Sequence, residues 1–276
     1  MAYKRILTIQ DISCMGQCSL TVALPILSAC GSEACIIPSA ILSTHTAGFS
    51  GFTFRDLTED IPKIEEHWKK ENIKFDAVYT GYLGSTKQID YVKSIMDSTG
   101  KETALNIVDP AMADNGKLYP AFDEEYVEAM KSLCAKADIV IPNITEACFL
   151  TGTEYKEEYC EGYISELLKK LCDLGAKTVV MTGVCFNKDK IGVAVYENGN
   201  MDYYEHERIS EGCHGTGDVY ASAFCGALMQ DKTLSEAARI AADYTVQCIR
   251  NTQGDKEHWY GVKFETALPM LIEMLK

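Results

Sequence analysis

The segment Gly212-Cys213-His214-Gly215-Thr216-Gly217-Asp218 runs directly into Val219-Tyr220-Ala221-Ser222-Ala223-Phe224, whose spacing predicts a helix. Glycines ahead of a helix let backbone N–H groups converge, and the partial positive charge of the helix start completes a binding place for an anion. A carboxylate in the first turn, Asp218, could take a proton from a hydroxyl lying beside that anion. Phosphoryl transfer needs this pairing of anion cradle and base. The same residues would also serve an ordinary helix start, with the glycines in a tight turn and Asp218 compensating the dipole. The segment is neither a Walker P-loop nor a complete G-x-G-x-x-G fingerprint.

The elements that must position this chemistry alternate along the chain. Short apolar runs at Arg5–Ile9, Ala34–Pro38, Ala77–Thr80, Ala104–Val108, Ile139–Ile141 and Thr178–Met181 predict strands. Between them, Leu57–Lys70, Gln88–Ser98, Glu124–Ala135 and Glu161–Leu174 carry apolar residues at three- and four-residue spacing and predict helices. Strand-then-helix repetition argues for an α/β fold, a mostly parallel sheet covered on both faces. Lys190–Glu197 and Asp202–Glu207 around Asn198-Gly199-Asn200 predict an antiparallel hairpin, and the chain from Gly217 onward is almost wholly helical. Ser43–Phe54 has no periodicity and reads as a loop able to cover a site. At 276 residues the chain is worth about 1.8 domains by length, but no Pro-, Gly- or Ser-rich linker divides it, so residues 1–276 are expected to form one unit.

In such a sheet, ligands bind beyond the carboxyl ends of the strands. The residues ending the apolar runs form an acid, amide and hydroxyl rim: Gln10-Asp11, Thr80-Gly81-Tyr82, Asp109-Pro110, Pro142-Asn143 to Glu146, and Thr182-Gly183. Asn143 and Glu146 could hold a hydrated Mg²⁺ indirectly, or form only a helix capping box. Asp109 could position metal and phosphate charge, or merely end a strand in a turn.

Composition narrows the partners. With 26 Lys and Arg against 40 Asp and Glu, the net charge of −14 repels phosphate backbones, so nucleic-acid binding is not expected. Twelve cysteines lie scattered from Cys14 to Cys248 with no C-x-x-C pair, which indicates neither a zinc site nor a disulfide framework. The opening MAYKRILTIQ lacks the pattern of a secretory leader, and no run reaches membrane-spanning length. A cytoplasmic protein with free thiols and no membrane partner is the expectation.

Taken in order, Ile9-Gln10, Ser43-Thr44-His45-Thr46, Thr80-Gly81-Tyr82-Leu83-Gly84-Ser85, Val108-Asp109-Pro110-Ala111-Met112, Pro142-Asn143 to Glu146, and Gly215-Thr216-Gly217-Asp218 resemble the pyridoxal/pyridoxamine kinase family of the ribokinase-like superfamily over nearly the whole chain. The resemblance implies a three-layer α/β/α sandwich and transfer of the ATP γ-phosphoryl group to the 5′-hydroxymethyl of a vitamin B6 compound. It makes Asp218 the base, with the N–H groups of Gly215, Thr216 and Gly217 on the transferring group. Asp109, Asn143, Glu146 and Thr182 would organise Mg²⁺ and ATP phosphates, while Thr46 and Tyr82 would hold the pyridine ring, with His45 in the same loop. A homodimer is implied, and a monovalent cation such as K⁺ is left open. Two residues depart from the pattern: Asp11 stands where the family commonly has a Ser touching the ring, and Gly183 where animal relatives carry Ser. Asp11 would favour a protonated ring nitrogen or an amino or hydroxyl donor. Asp218 in place of Cys argues against the branch that also phosphorylates hydroxymethylpyrimidine. A hydroxymethylpyrimidine or sugar kinase, and a non-catalytic vitamin-binding protein, remain the alternatives.

Overall fold

The computed structural model describes residues 3–209 and 213–276. The strands are β1 (Arg5–Ser13), β2 (Glu33–Leu42), β3 (Phe54–Asp56), β4 (Phe75–Thr80), β5 (Gly100–Val108), β6 (Ala113–Asp114), β7 (Lys117–Leu118), β8 (Ile139–Val140), β9 (Thr178–Val184), β10 (Lys190–Glu197) and β11 (Asn200–Glu207). The helices are α1 (Leu20–Ala29), α2 (Ile61–Lys70), α3 (Thr86–Thr99), α4 (Glu124–Cys134), α5 (Ile144–Thr151), α6 (Glu161–Asp173), α7 (Thr216–Met229), α8 (Leu234–Thr252) and α9 (Leu268–Leu275).

Among the described residues, nine strands form one sheet in the order β11-β10-β9-β8-β5-β4-β1-β2-β3. The six central strands run parallel, and β3 and the β10–β11 hairpin close the two edges antiparallel. Alternation along each strand divides the apolar residues between two cores. Leu7, Val78, Val108, Val140 and Val179 pack with α2 to α6 on one face, whereas Ile6, Tyr79, Ile107, Ile139 and Val180 pack with α1, α7, α8 and α9 on the other. The result is the expected three-layer α/β/α sandwich.

The chain leaves β1 for β2 on one side and returns to β4 on the other, so strand order reverses between β1 and β4. Crevices at such switch points receive ligands. Two strands run further than their apolar runs predict. β1 continues through Gln10 and Asp11 because β2 pairs with it as far as Ser13, with a register irregularity between Gln10 and Ile12 that sets Asp11 opposite extra residues of β2. β9 continues through Thr182 and Gly183 because β10 pairs with it there. The hairpin turn has only Asn198 and Gly199, both at positive φ, which draws Asn200 into β11.

Helix α1 has no counterpart among the sequence expectations. Its sequence LTVALPILSA is apolar on nearly every side and contains Pro25, so it shows no amphipathic stripe. It packs on β1 and β2 beside α7, close enough that a Cβ on Gly226 would come within 2.4 Å of Cys30 Sγ. The expected loop is irregular from Ser43 to Thr53, and Phe54 already belongs to β3.

Candidate active site

A cavity of about 430 Å³ opens at the carboxyl ends of the central strands. Asp109, Asn143, Glu146, Thr182, Gly183, Gly215, Thr216, Gly217 and Asp218 all line it. Residues from 109 to 218 are thus gathered by strand ends that the sheet places side by side and by the start of α7. Gly212, the first residue of the glycine segment, lies outside the described residues.

The start of α7 has the geometry of an anion cradle. Gly215 is the N-cap in the left-handed region at φ 75°, and a Cβ there would sit 1.8 Å from the Gln17 carbonyl oxygen, so only glycine fits. The first-turn N–H groups have no intrahelical acceptors. Asp218 lies in that turn, and burial lifts its carboxyl to about 7, with the Ser19 N–H opposing the rise and Asp11 adding to it. A carboxylate with that value can accept a proton near neutral pH.

Asp109 is buried, and burial together with the nearby Glu146 and Asp218 carboxyls pushes it well above the ordinary range. Glu146 is raised as well, by burial, although backbone N–H groups counter it. The capping box forms: the Glu146 N–H donates to Asn143 Oδ1 at 2.9 Å, and the Asn143 N–H donates to Glu146 Oε2 at 2.8 Å. The other carboxylate oxygen accepts from the Met112 N–H at 3.2 Å, and Asn143 Nδ2 donates to the Ala113 carbonyl at 2.9 Å. Capping therefore fixes α5 and the 112–113 backbone and holds both side chains at the cavity wall. Asn143 and Thr182 are joined by a parallel bridge. Gly183 has φ 74°, a conformation that disfavours a residue with a side chain.

Asp11 lies beside Asp218, with His45 and Tyr82 next to Asp11, and none of the three is among the described residues on the cavity wall. Asp11 is buried and accepts from Ser13 Oγ at 3.0 Å. Burial raises its carboxyl against hydrogen bonds from Ser19 and Ser13. Burial and Asp11 together raise the Tyr82 phenol. His45 Nε2 lies 2.7 Å from the Tyr260 carbonyl, and its ring is 5.7 Å from that of His214 on the cavity wall. Phe49 of the same loop packs at 4.6 Å on Trp259, so the loop is clasped to the 258–261 segment. Thr46 is exposed on the loop, and among the described residues no contact joins it to Asp11 or Tyr82.

One segment of this site is absent from the sequence expectations. Gly16 makes room for the His45 ring, Gln17 presses its carbonyl on Gly215, and Ser19 presents its N–H to Asp218. Ser19 has φ 51° and ψ −133°, unusual for a residue with a side chain, and it caps α1 without a side-chain hydrogen bond. The available signal was a Ser ahead of an apolar run, an N-cap pattern. The cavity wall formed by Ile191, Gly192, Val193, Thr245, Val246 and Ile249 was also not foreseen, because it joins the hairpin to α8 only in three dimensions.

The fold and this site define a ribokinase-like α/β architecture. A family model described as phosphomethylpyrimidine kinase matches residues 24–262, and the chain belongs to that family. A candidate phosphomethylpyrimidine kinase from Bacteroides thetaiotaomicron, crystallised with pyridoxal, is 38% identical with a TM-score of 0.92, the match covering 98% of this chain and 96% of that one. Pyridoxal kinase from Lactobacillus plantarum is 30% identical with a TM-score of 0.91, covering 99% and 98%. Among curated relatives, pyridoxal kinase of Dictyostelium discoideum is 27% identical over 275 residues, covering 92% of this chain and 88% of its own length.

Proposed function

We propose that this chain is an ATP-dependent pyridoxal kinase, phosphorylating the 5′-hydroxymethyl group of pyridoxal, pyridoxine or pyridoxamine. The observation that carries the reading is Asp218, a carboxyl lifted to about 7 within the anion-binding turn of α7, between the cavity and the Asp11, His45 and Tyr82 cluster. The nucleotide occupies the cavity and the acceptor the cluster. Asp218 takes the proton of the acceptor hydroxyl as its oxygen bonds to the γ-phosphorus; the bond to the bridging oxygen breaks and ADP leaves. The N–H groups of Gly215, Thr216 and Gly217 bear the charge on the transferring group. The Bacteroides protein crystallised with pyridoxal and the Lactobacillus pyridoxal kinase support the acceptor class.

Mg²⁺ fits the residues present. No Lys or Arg is among the described residues lining the cavity, while two buried carboxyls, Asp109 and Glu146, are both held above their ordinary range, a donor set that a cation would relieve. No group of three or more His, Cys, Asp or Glu among the described residues could hold a metal by itself, so phosphates and water would complete its shell near Asp109 and Glu146. When bound, it would neutralise polyphosphate charge. In this reading residues 1–276 act as one kinase unit with the 43–54 loop as cover, paired as a homodimer. Its twelve cysteines, none in a disulfide among the described residues, suit a reducing cytoplasm. No helix among the described residues is long and apolar enough to cross a membrane.

The family description favours a second reading, with hydroxymethylpyrimidine as acceptor. A coupled ADP-release assay with pyridoxal, pyridoxine, pyridoxamine and hydroxymethylpyrimidine decides between them. Higher kcat/KM for the pyridine acceptors is expected; the reverse order would replace the proposal with the second reading. Vitamer binding without ADP release would make the chain a non-catalytic vitamin-binding protein.

A further inference from the structure

Among the described residues, the acceptor cluster contains two carboxyl groups and no Lys or Arg. Asp11 is 5% exposed, and the groups that face it are the hydroxyls of Ser13 and Ser19, the Cys18 thiol, the Tyr82 phenol, the Asp218 carboxyl and the His45 ring. No Lys or Arg is among them. Among the described groups facing Asp11, His45 is the one that could become positive; burial lowers its pKa, and the bond to Nδ1 favours the neutral ring. The Ala47 N–H donates to Nδ1 at 3.2 Å, so Nδ1 carries no proton and Nε2 donates its own to the Tyr260 carbonyl at 2.7 Å. A proton on Nδ1 would set two N–H groups against each other and open the clasp between the loop and the 258–261 segment.

A buried carboxylate with no cation draws in either a proton or a positively charged ligand. The second carboxyl, Asp218, sharpens that demand, because both cannot ionise cheaply side by side. A ligand that brings a positive charge to this cluster satisfies Asp11 and leaves Asp218 as the base.

We propose that Asp11 is a specificity residue that selects a positively charged acceptor over a neutral one of the same shape. The inference rests on the kinase reading above. It is specific to this chain's aspartate, which accepts from a cationic donor a charge-assisted hydrogen bond that a Ser hydroxyl cannot match.

Pyridoxamine and pyridoxine test it, since they differ by an aminomethyl against a hydroxymethyl of nearly equal size. The full chain and the Asp11→Asn and Asp11→Ser variants are assayed for kcat/KM with each acceptor, and pyridoxamine binding is measured by titration calorimetry without nucleotide. The wild type should prefer pyridoxamine, and both variants should lower the pyridoxamine-to-pyridoxine ratio by about 10- to 100-fold, chiefly through KM. Calorimetry should show the same loss for pyridoxamine, which a fold defect would not confine to the charged ligand. Equal use of the two acceptors by the wild type, or a ratio that stays within threefold in both variants, would overturn the proposal while leaving the kinase reading intact. A wild type that neither binds nor phosphorylates any vitamer would overturn both.

Discussion

Replacing Asp218 by Asn tests the base and its environment together. The amide keeps the shape and can still accept the Ser19 N–H, but it cannot take a proton from the acceptor. Losing a positioned general base costs about 10²- to 10⁴-fold, equivalent to about 3–5 kcal/mol of transition-state stabilisation. The wild-type kcat/KM should fall about tenfold per pH unit below the base's value of about 7, and the variant's residual activity should lack that acid limb. Stability should change in the opposite direction. A carboxyl at about 7 in the fold, against an ordinary 3.8, binds its proton more tightly when folded, so its contribution is complete below about pH 4 and is lost as pH rises through about 7. The full difference corresponds to about 4 kcal/mol, and solvent at the cavity floor reduces this to about 1–3 kcal/mol. The Asn variant should therefore be more stable than the wild type at pH 8, with the gap closing toward pH 4. Coupled ADP release from pH 5.5 to 9 and chemical denaturation at pH 4 and 8 measure the two effects. Activity within tenfold of wild type, or an acid limb near pH 7 that survives in the variant, would refute the assignment.

Three further outcomes follow from the geometry. Gly215→Ala places a Cβ against the Gln17 carbonyl at positive φ and should cost at least about 2 kcal/mol, whereas Gly217→Ala, with nothing within 4 Å, should leave the melting temperature unchanged or higher. Equal losses in calorimetry would contradict the packing. Ser19→Gly relieves a strained backbone but removes the hydroxyl that hydrogen-bonds the buried Asp11 carboxyl, so its stability should stay within about 1 kcal/mol of wild type, while Ser19→Val, which loses the same bond and keeps the strain, should lose about 1–3 kcal/mol. The ligand-free protein should melt at progressively lower temperature from pH 5 to pH 8, as Asp11, Asp109, Glu146 and Asp218, all raised by burial, lose protons in the fold that they would already have lost when unfolded. A flat or rising profile in thermal-shift measurements would show that these carboxyls are better compensated than their surroundings indicate.

Strand and helix signals were legible where one face of an element is polar or where a buried strand is bounded by turns. The parallel strands at 77–80 and 104–108 and the amphipathic helices at 124–135 and 161–174 lie within a few residues of their expected bounds. Helix α1 was not legible, because it buries Val22, Ala23, Ile26 and Leu27 while the apolar Leu24 and Pro25 stand on its outer side, so no polar face marks an amphipathic stripe. Strand ends were misplaced at Gln10-Asp11 and Thr182-Gly183, because pairing with β2 and β10 carries polar residues inside the ladder.

By itself the sequence determined the chemistry on offer: a glycine turn entering a helix with Asp218, and polar residues at the ends of apolar runs. Local rules suffice for these, since caps, turns and periodicities act over a few residues. Only the tertiary structure decided which of those residues meet. Sheet order sets Asp109, Asn143 and Thr182 around one cavity, and the Gly16–Ser19 segment, far from Gly215 in the chain, supplies the carbonyl that admits only glycine and the N–H that faces the base. The perturbed carboxyl of Asp218 has the same origin, because its ionisation is governed by burial and by neighbours about two hundred residues away in sequence.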